Sequence, residues 1–139
     1  MVRRRLSWLV ALAAIALLLV ACQGYTTQGS KTAEHQGATG GDLTVEIGKA
    51  NGTATENIEI EGESDLVLEA DVTLFVGLGS FKIELLGQDD QVTLVLEAGA
   101  GEAAEGHGQM VTDSFGEASY RVTATDAENV TYVIEYTYR

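Results

Sequence analysis

Between residues 66 and 78 every even-numbered position is apolar: Leu66, Leu68, Ala70, Val72, Leu74, Val76 and Leu78. The odd positions include Glu69, Asp71 and Thr73. A period of two sends successive side chains to opposite faces of an extended chain and builds no stripe on a helix of 3.6 residues per turn. The stretch therefore reads as β structure with one buried and one wet face. At about 3.3 Å per residue it would run roughly 43 Å, long for a single strand, so a bend or turn is expected near Ala70 and Asp71. One bent strand and two separate strands both satisfy the pattern.

The same alternation recurs from Asp42 onward. Leu43, Val45 and Ile47 alternate with Thr44 and Glu46, and Ile58 and Ile60 flank Glu59. Phe81, Ile83 and Leu85 lead into Gly87-Gln88-Asp89-Asp90-Gln91, and Val92, Leu94 and Leu96 lead out, which is the pattern of a β-hairpin. A glycine-rich loop is expected over residues 99–108, with a short strand around Met110. Tyr120, Val122 and Ala124 follow, then Val130, Tyr132, Ile134, Tyr136 and Tyr138. Seven to nine short strands at this spacing predict an all-β domain, an antiparallel β-sandwich that jelly-roll connections could join. With no proline in the chain, its turns must rely on Gly, Asn and Asp.

Residues 23–41 show no periodicity and are rich in Gly, Thr and Gln, so they read as a flexible tether spanning roughly 22 to 26 Å. The expected organisation is a targeting segment over 1–21, a tether over 22–41 and one β-sandwich domain over 42–139. The first segment has a cationic head, Arg3 to Arg5, followed by an uncharged run from Leu6 that ends at Cys22, the sole cysteine. That run is shorter than the roughly 20 apolar residues a spanning helix needs.

Leu19, Val20, Ala21 and Cys22 resemble the lipobox of bacterial prolipoproteins. The resemblance implies that Cys22 is acylated and becomes the first residue after cleavage, which would place the domain outside the cytoplasm at the cell membrane or outer envelope. Two or more acyl chains suffice for stable anchoring, because each buried methylene adds about 0.8 kcal/mol. The stretch 120–136 resembles the closing strands of small secreted β-sandwich modules, including the prepeptidase C-terminal type, and implies no functional residue.

Removal of residues 1–21 leaves 118 residues, with five Lys and Arg against 21 Asp and Glu, a formal charge of −16. Such acidity argues against nucleic acid and against an anionic membrane surface as partners, since both depend on clustered Lys and Arg. Gly99, Gly101 and Ala104 match a GxGxxA phosphate-binding spacing, but Gly106 and Gly108 break any following helix and Glu102 and Glu105 would repel phosphate. No cofactor is expected. Glu59, Glu61, Glu63 and Asp65 share a parity, yet neighbours on a strand face lie roughly 6.6 Å apart, too far for one strand to cage calcium. The candidates for a metal are instead loop carboxylates: Asp89 and Asp90 in the hairpin, and Asp113.

His107 has no second histidine in the domain to build a zinc site, and Ser114 lacks a GxSxG context. Tyr132, Tyr136 and Tyr138 share one strand face and are the candidate ligand-binding residues, as an aromatic platform for sugar rings. The same three suit a sandwich core whose hydroxyls reach the rim. The expectation is a lipid-anchored, non-catalytic module, structural or binding a protein or glycan. A calcium-stabilised carbohydrate-binding module is the alternative and a hydrolase the distant one.

Overall fold

The structure, a computed structural model, describes residues 24–139, so the lipobox-like residues and Cys22 lie outside the described residues. Seven strands follow in order: β1 (Thr26–Gln28), β2 (Lys31–Gln36), β3 (Gly40–Glu59), β4 (Val67–Leu86), β5 (Val92–Ala98), β6 (Glu102–Val111) and β7 (Glu117–Thr137). The domain is an antiparallel β-sandwich, and its two layers are built largely from the same strands. Each of β3, β4 and β7 is about 20 residues long, and each passes from one layer to the other through an irregularity.

The register locates these crossings. Pairing of β3 with β7 slips between Ala50 and Gly52, and pairing of β4 with β7 slips between Leu78 and Ser80. At this folded edge Gly79 adopts φ +72°, and a Cβ there would run into the backbone oxygen of Asp126, so only glycine fits. Asp126 and Asn129 on β7 also hold positive φ, 45° and 52°, which residues with short polar side chains tolerate best. The first layer runs β2-β3-β7-β4-β6 and uses the N-terminal halves of β3 and β4 with the C-terminal half of β7. The second uses the other halves and adds β5 beside β4. The connections at the far end are 37–39, 60–66, 87–91, which holds one 3-10 turn (Gln88–Asp90), and 112–116.

Between the layers lies a single apolar core. Leu43, Val45 and Ile47 from β3, Leu68 to Val76 on even positions of β4, and Val130, Tyr132, Ile134 and Tyr136 from β7 meet Phe81, Ile83, Leu85, Leu96, Val122 and Tyr120 of the second layer. Fully burying one such aliphatic side chain stabilises the fold by about 1.5–3 kcal/mol.

Three expectations need correction. The alternating run is one strand, and it bends at 78–80 rather than near Ala70 and Asp71, because strict parity over 67–76 keeps the strand regular against both β6 and β7. Residues 26–36, expected to be tether, pair with β3 as β1 and β2. Their side chains are all exposed, so backbone hydrogen bonding to an open sheet edge, and not hydrophobic pattern, holds them. The expected loop over 99–108 is mostly β6. Its inward positions are Ala104, Gly106, Gly108 and Met110, and a Cβ on Gly108 would lie 2.7 Å from Cβ of Leu94 on β5, so the strand packs closely by having no side chain there. The hairpin of β4 and β5 forms as expected, with Phe81 opposite Ala98, Leu85 opposite Leu94, and Asp89 and Asp90 at positive φ in the turn.

Candidate binding groove

The outer face of the five-stranded layer carries the polar parity of the alternating run. Four cross-strand rows follow from the register of β7 with β4: Thr131 opposite Phe75, Val133 opposite Thr73, Glu135 opposite Asp71, and Thr137 opposite Glu69. Rows are about 6.6 Å apart, so the four span roughly 20 Å along the strands.

Three depressions lie end to end on this face. One of about 450 Å³ is lined by Thr73, Phe75, Ala103, Glu105 and Thr131. The next, about 330 Å³, is lined by Asp42, Glu69, Asp71, His107 and Glu135. The last, about 570 Å³, shares Glu69 and Thr137 with it and ends at Tyr138 and Arg139. They follow one another along the outer face of β4 and β7, the second and third sharing lining residues, and this line of depressions is the candidate groove. Phe75, 46% exposed, is the aromatic ring of this face, on which Val133 and Val67 are further apolar members among polar neighbours.

At the centre one row crosses all five strands: His35 pairs opposite Asp42, Asp42 opposite Glu135, Glu135 opposite Asp71, and Asp71 opposite His107. Side chains directly opposite one another have Cβ atoms about 4.5–5.5 Å apart, close enough for contact. His107 places Nδ1 2.8 Å from Asp71 and Nε2 2.9 Å from Glu69. These hydrogen bonds, Asp71's first, raise the imidazole's pKa above its ordinary value. Gln109 donates to the other oxygen of Glu69 at 2.6 Å. At the opposite edge His35 Nδ1 lies 3.3 Å from Asp42. The groove thus presents carboxylate oxygens, threonine hydroxyls and one phenyl face in a fixed array.

Tyr132, Tyr136 and Tyr138, candidates for either an aromatic platform or the core, do not lie in this groove. Tyr132 and Tyr136 are buried in the core. Tyr132 stacks on Phe81 at 5.7 Å between ring centroids, and its hydroxyl lies 3.1 Å from that of Tyr120. Tyr136 covers Gly41, where a Cβ would sit 2.5 Å from its hydroxyl. Tyr138 is half-buried beside Tyr136 and donates to the Gly37 carbonyl at 2.8 Å. The three share a parity as predicted, but that parity is the core side.

Asp89, Asp90 and Asp113 do come together at the loop end, lining a cavity of about 310 Å³ with Asp65 and Glu117. Asp113 spends one carboxylate oxygen on its own turn, accepting from the backbone N–H of Phe115 at 2.8 Å and of Glu117 at 3.0 Å. Among the described residues no three His, Cys, Asp or Glu side chains converge as metal ligands. His107 belongs to the groove, and Ser114 is exposed in the 112–116 loop. Sequence reasoning passed over Phe75, Glu69, Asp71 and Glu135 as members of a site. The signal was available in Phe75, the one aromatic at an odd position of the alternating run.

No family model matches the chain, and no curated protein does. Among solved structures it is similar to the CBM22-1 xylan-binding domain from Paenibacillus barcinonensis Xyn10C, at 14% identity and TM-score 0.42, covering 84% of this chain and 86% of that one. It is also similar to the carbohydrate binding module CBM6cm-2 from Cellvibrio mixtus lichenase 5A, at 14% identity and TM-score 0.34, covering 81% and 88%. The Drosophila melanogaster CENP-C cupin domain matches at 10% identity and TM-score 0.31, covering 78% and 76%. These likenesses are in strand layout, a layout shared by proteins of unrelated roles.

Proposed function

We propose that the chain is a lipid-anchored, extracytoplasmic, non-catalytic module that binds a neutral oligosaccharide along the outer groove of β4 and β7. The observation that carries this reading is the line of depressions along the outer face of β4 and β7, with Phe75 at one end as a stacking face and rows of hydroxyl and carboxylate acceptors spaced along it. A pyranose offers an apolar ring face and hydroxyl donors, and an exposed phenyl beside Thr73 and Thr131, with Asp71 and Glu135 two rows further along, matches both. Glu69, Asp71, Glu105, Asp42 and Glu135 give the floor and rim a negative field that disfavours uronic acid polymers. Asp71 and Glu69 are solvent-exposed and engaged with His107, an arrangement suited to accepting hydrogen bonds from a ligand and lacking the sequestered acid that glycoside hydrolysis uses.

Affinity electrophoresis through gels containing a soluble neutral β-glucan or xylan, with polygalacturonate as the anionic comparison, tests the reading. Wild-type protein should be retarded by a neutral polymer, and Phe75→Ala should bind about tenfold more weakly, the equivalent of about 1.4 kcal/mol. Replacing Asp89 and Asp90 with Asn should leave retardation unchanged. Equal retardation of Phe75→Ala and wild type, or migration of wild type unaffected by any neutral polymer, would exclude the groove as a glycan site.

A further inference from the structure

The pairing of β1 and β2 changes what an anchor at Cys22 would do. Tyr25 packs against the core, and Thr26, Thr27 and Gln28 pair with Asn51, Ala50 and Lys49 at the folded edge. A Cβ on Gly52 would lie 2.8 Å from the carbonyl oxygen of Gly24, so the chain enters the domain in contact with this edge. Only four residue steps separate Cys22 from Thr26, a reach of at most about 14 Å even when fully extended. An anchor at Cys22 would leave the domain far less room to turn than a 20-residue tether would.

The two ends of the sandwich differ in charge. The loops at the far end, 60–66, 87–91 and 112–116, carry Glu61, Glu63, Asp65, Asp89, Asp90 and Asp113 and no basic residue, with Arg139 alone nearby to offset them. At the folded edge the turns carry Asp126, Glu128 and, beside the 99–101 turn, Glu102, with Lys49 3.8 Å from Glu128. Leu78, 53% exposed, also lies there. From Ala50 to Gly40 along β3 is ten residues, so the loop end stands about 33 Å away.

We infer that the folded edge is the membrane-facing surface, with the lipid surface as its partner, and that the acidic loop end points away from the bilayer. The inference rests on the acyl anchor at Cys22 and adds an orientation to it. An anionic leaflet repels the six loop carboxylates more than it repels the folded edge, whose three acids are partly offset by Lys49, so the folded edge is the side that can approach. The groove along β4 and β7 then stands along the membrane normal, with Phe75 nearer the lipid and Arg139 farther out.

Tryptophan supplies the test, because Trp8 lies in the segment that processing before Cys22 removes. Membrane-derived protein from the native host, as wild type and as the variants Leu78→Trp and Phe115→Trp, is reconstituted into anionic phospholipid vesicles holding a dansyl lipid. Phe115 is 81% exposed in the loop end, so both replacements fall on the surface. Energy transfer to the dansyl lipid should be at least about threefold greater from position 78 than from 115, given their separation of about 33 Å along the strands. Inserting twenty Gly and Ser residues between Gln23 and Gly24 should abolish the difference. Equal transfer from both positions without the insertion, or more from 115, overturns the orientation while leaving the anchor intact. Tryptophan emission from wild-type protein would mean that Trp8 is retained, which overturns the anchor and the orientation with it.

Discussion

His107 has a carboxylate oxygen within 2.9 Å of each ring nitrogen. Carboxylates only accept, so the ring satisfies both neighbours only as the imidazolium. A folded-state pKa raised above the unfolded value means a contribution to stability that is complete below about pH 6.5 and lost as pH rises through the folded-state value. Replacing His107 with Gln should therefore lower the melting temperature more at about pH 5.5 than at about pH 9, with the difference shrinking in salt because the cluster is exposed. An equal loss at both pH values would mean that the ring acts by packing alone. In the core the sign is the same and the window higher. Burial pushes Tyr120 up to about 12, and burial raises Tyr132 further, against about 10 in the unfolded chain. Stability from these two is complete below about pH 10 and falls as pH climbs toward 12, so their phenolate absorbance should rise only together with loss of the β circular dichroism signal. Phenolate formation by four or more tyrosines with that signal intact would contradict the burial of this pair.

At the scale of the elements, the long strands were legible where apolar and polar residues alternate and illegible where they do not. β4 and β7 announce themselves through even-numbered Leu, Val, Ile and Tyr. β6 does not, because Ala104, Gly106 and Gly108 fill the inward positions and Leu94 occupies the space their side chains would take. β1 and β2 could not be read at all, since both faces are wet and only backbone pairing with β3 orders them. The tyrosine parity was legible and left two readings open, platform or core, because a strand pattern says which residues share a face without saying which face is buried; the structure puts Tyr132 and Tyr136 in the core. The bend was displaced for a related reason. Alternation continues to Leu78, so the break comes where Gly77 and Gly79 allow it. Gly79→Ala, which meets the Asp126 carbonyl at φ +72°, should cost about 2–3 kcal/mol, whereas Gly62→Ala, at φ +78° with nothing within 4 Å, should cost about 1. Urea midpoints of the two variants compare them, and equal losses would mean that the folded edge is not closely packed.

Over the whole molecule, the fold separates its functions by place. The core takes the tyrosines, the folded edge receives the incoming chain, the loop end holds six carboxylates, and one open sheet face keeps the groove. The fold class was readable from the sequence because a period of two over so many residues permits little else. The groove was not, because its members come from β3, β4, β6 and β7 and meet only through register: Asp42, Glu135, Asp71 and His107 are far apart in the chain and successive across the sheet. The most direct test is an amide NMR titration of the folded protein with a neutral β-linked oligosaccharide that retards it in gels. Shifts should concentrate at Asp71, Thr73, Phe75, His107, Thr131 and Glu135, leaving Asp89, Asp90 and Asp113 unmoved. Shifts confined to the 87–91 and 112–116 loops, with the β4 and β7 outer face silent, would contradict the assignment of the groove as the binding surface.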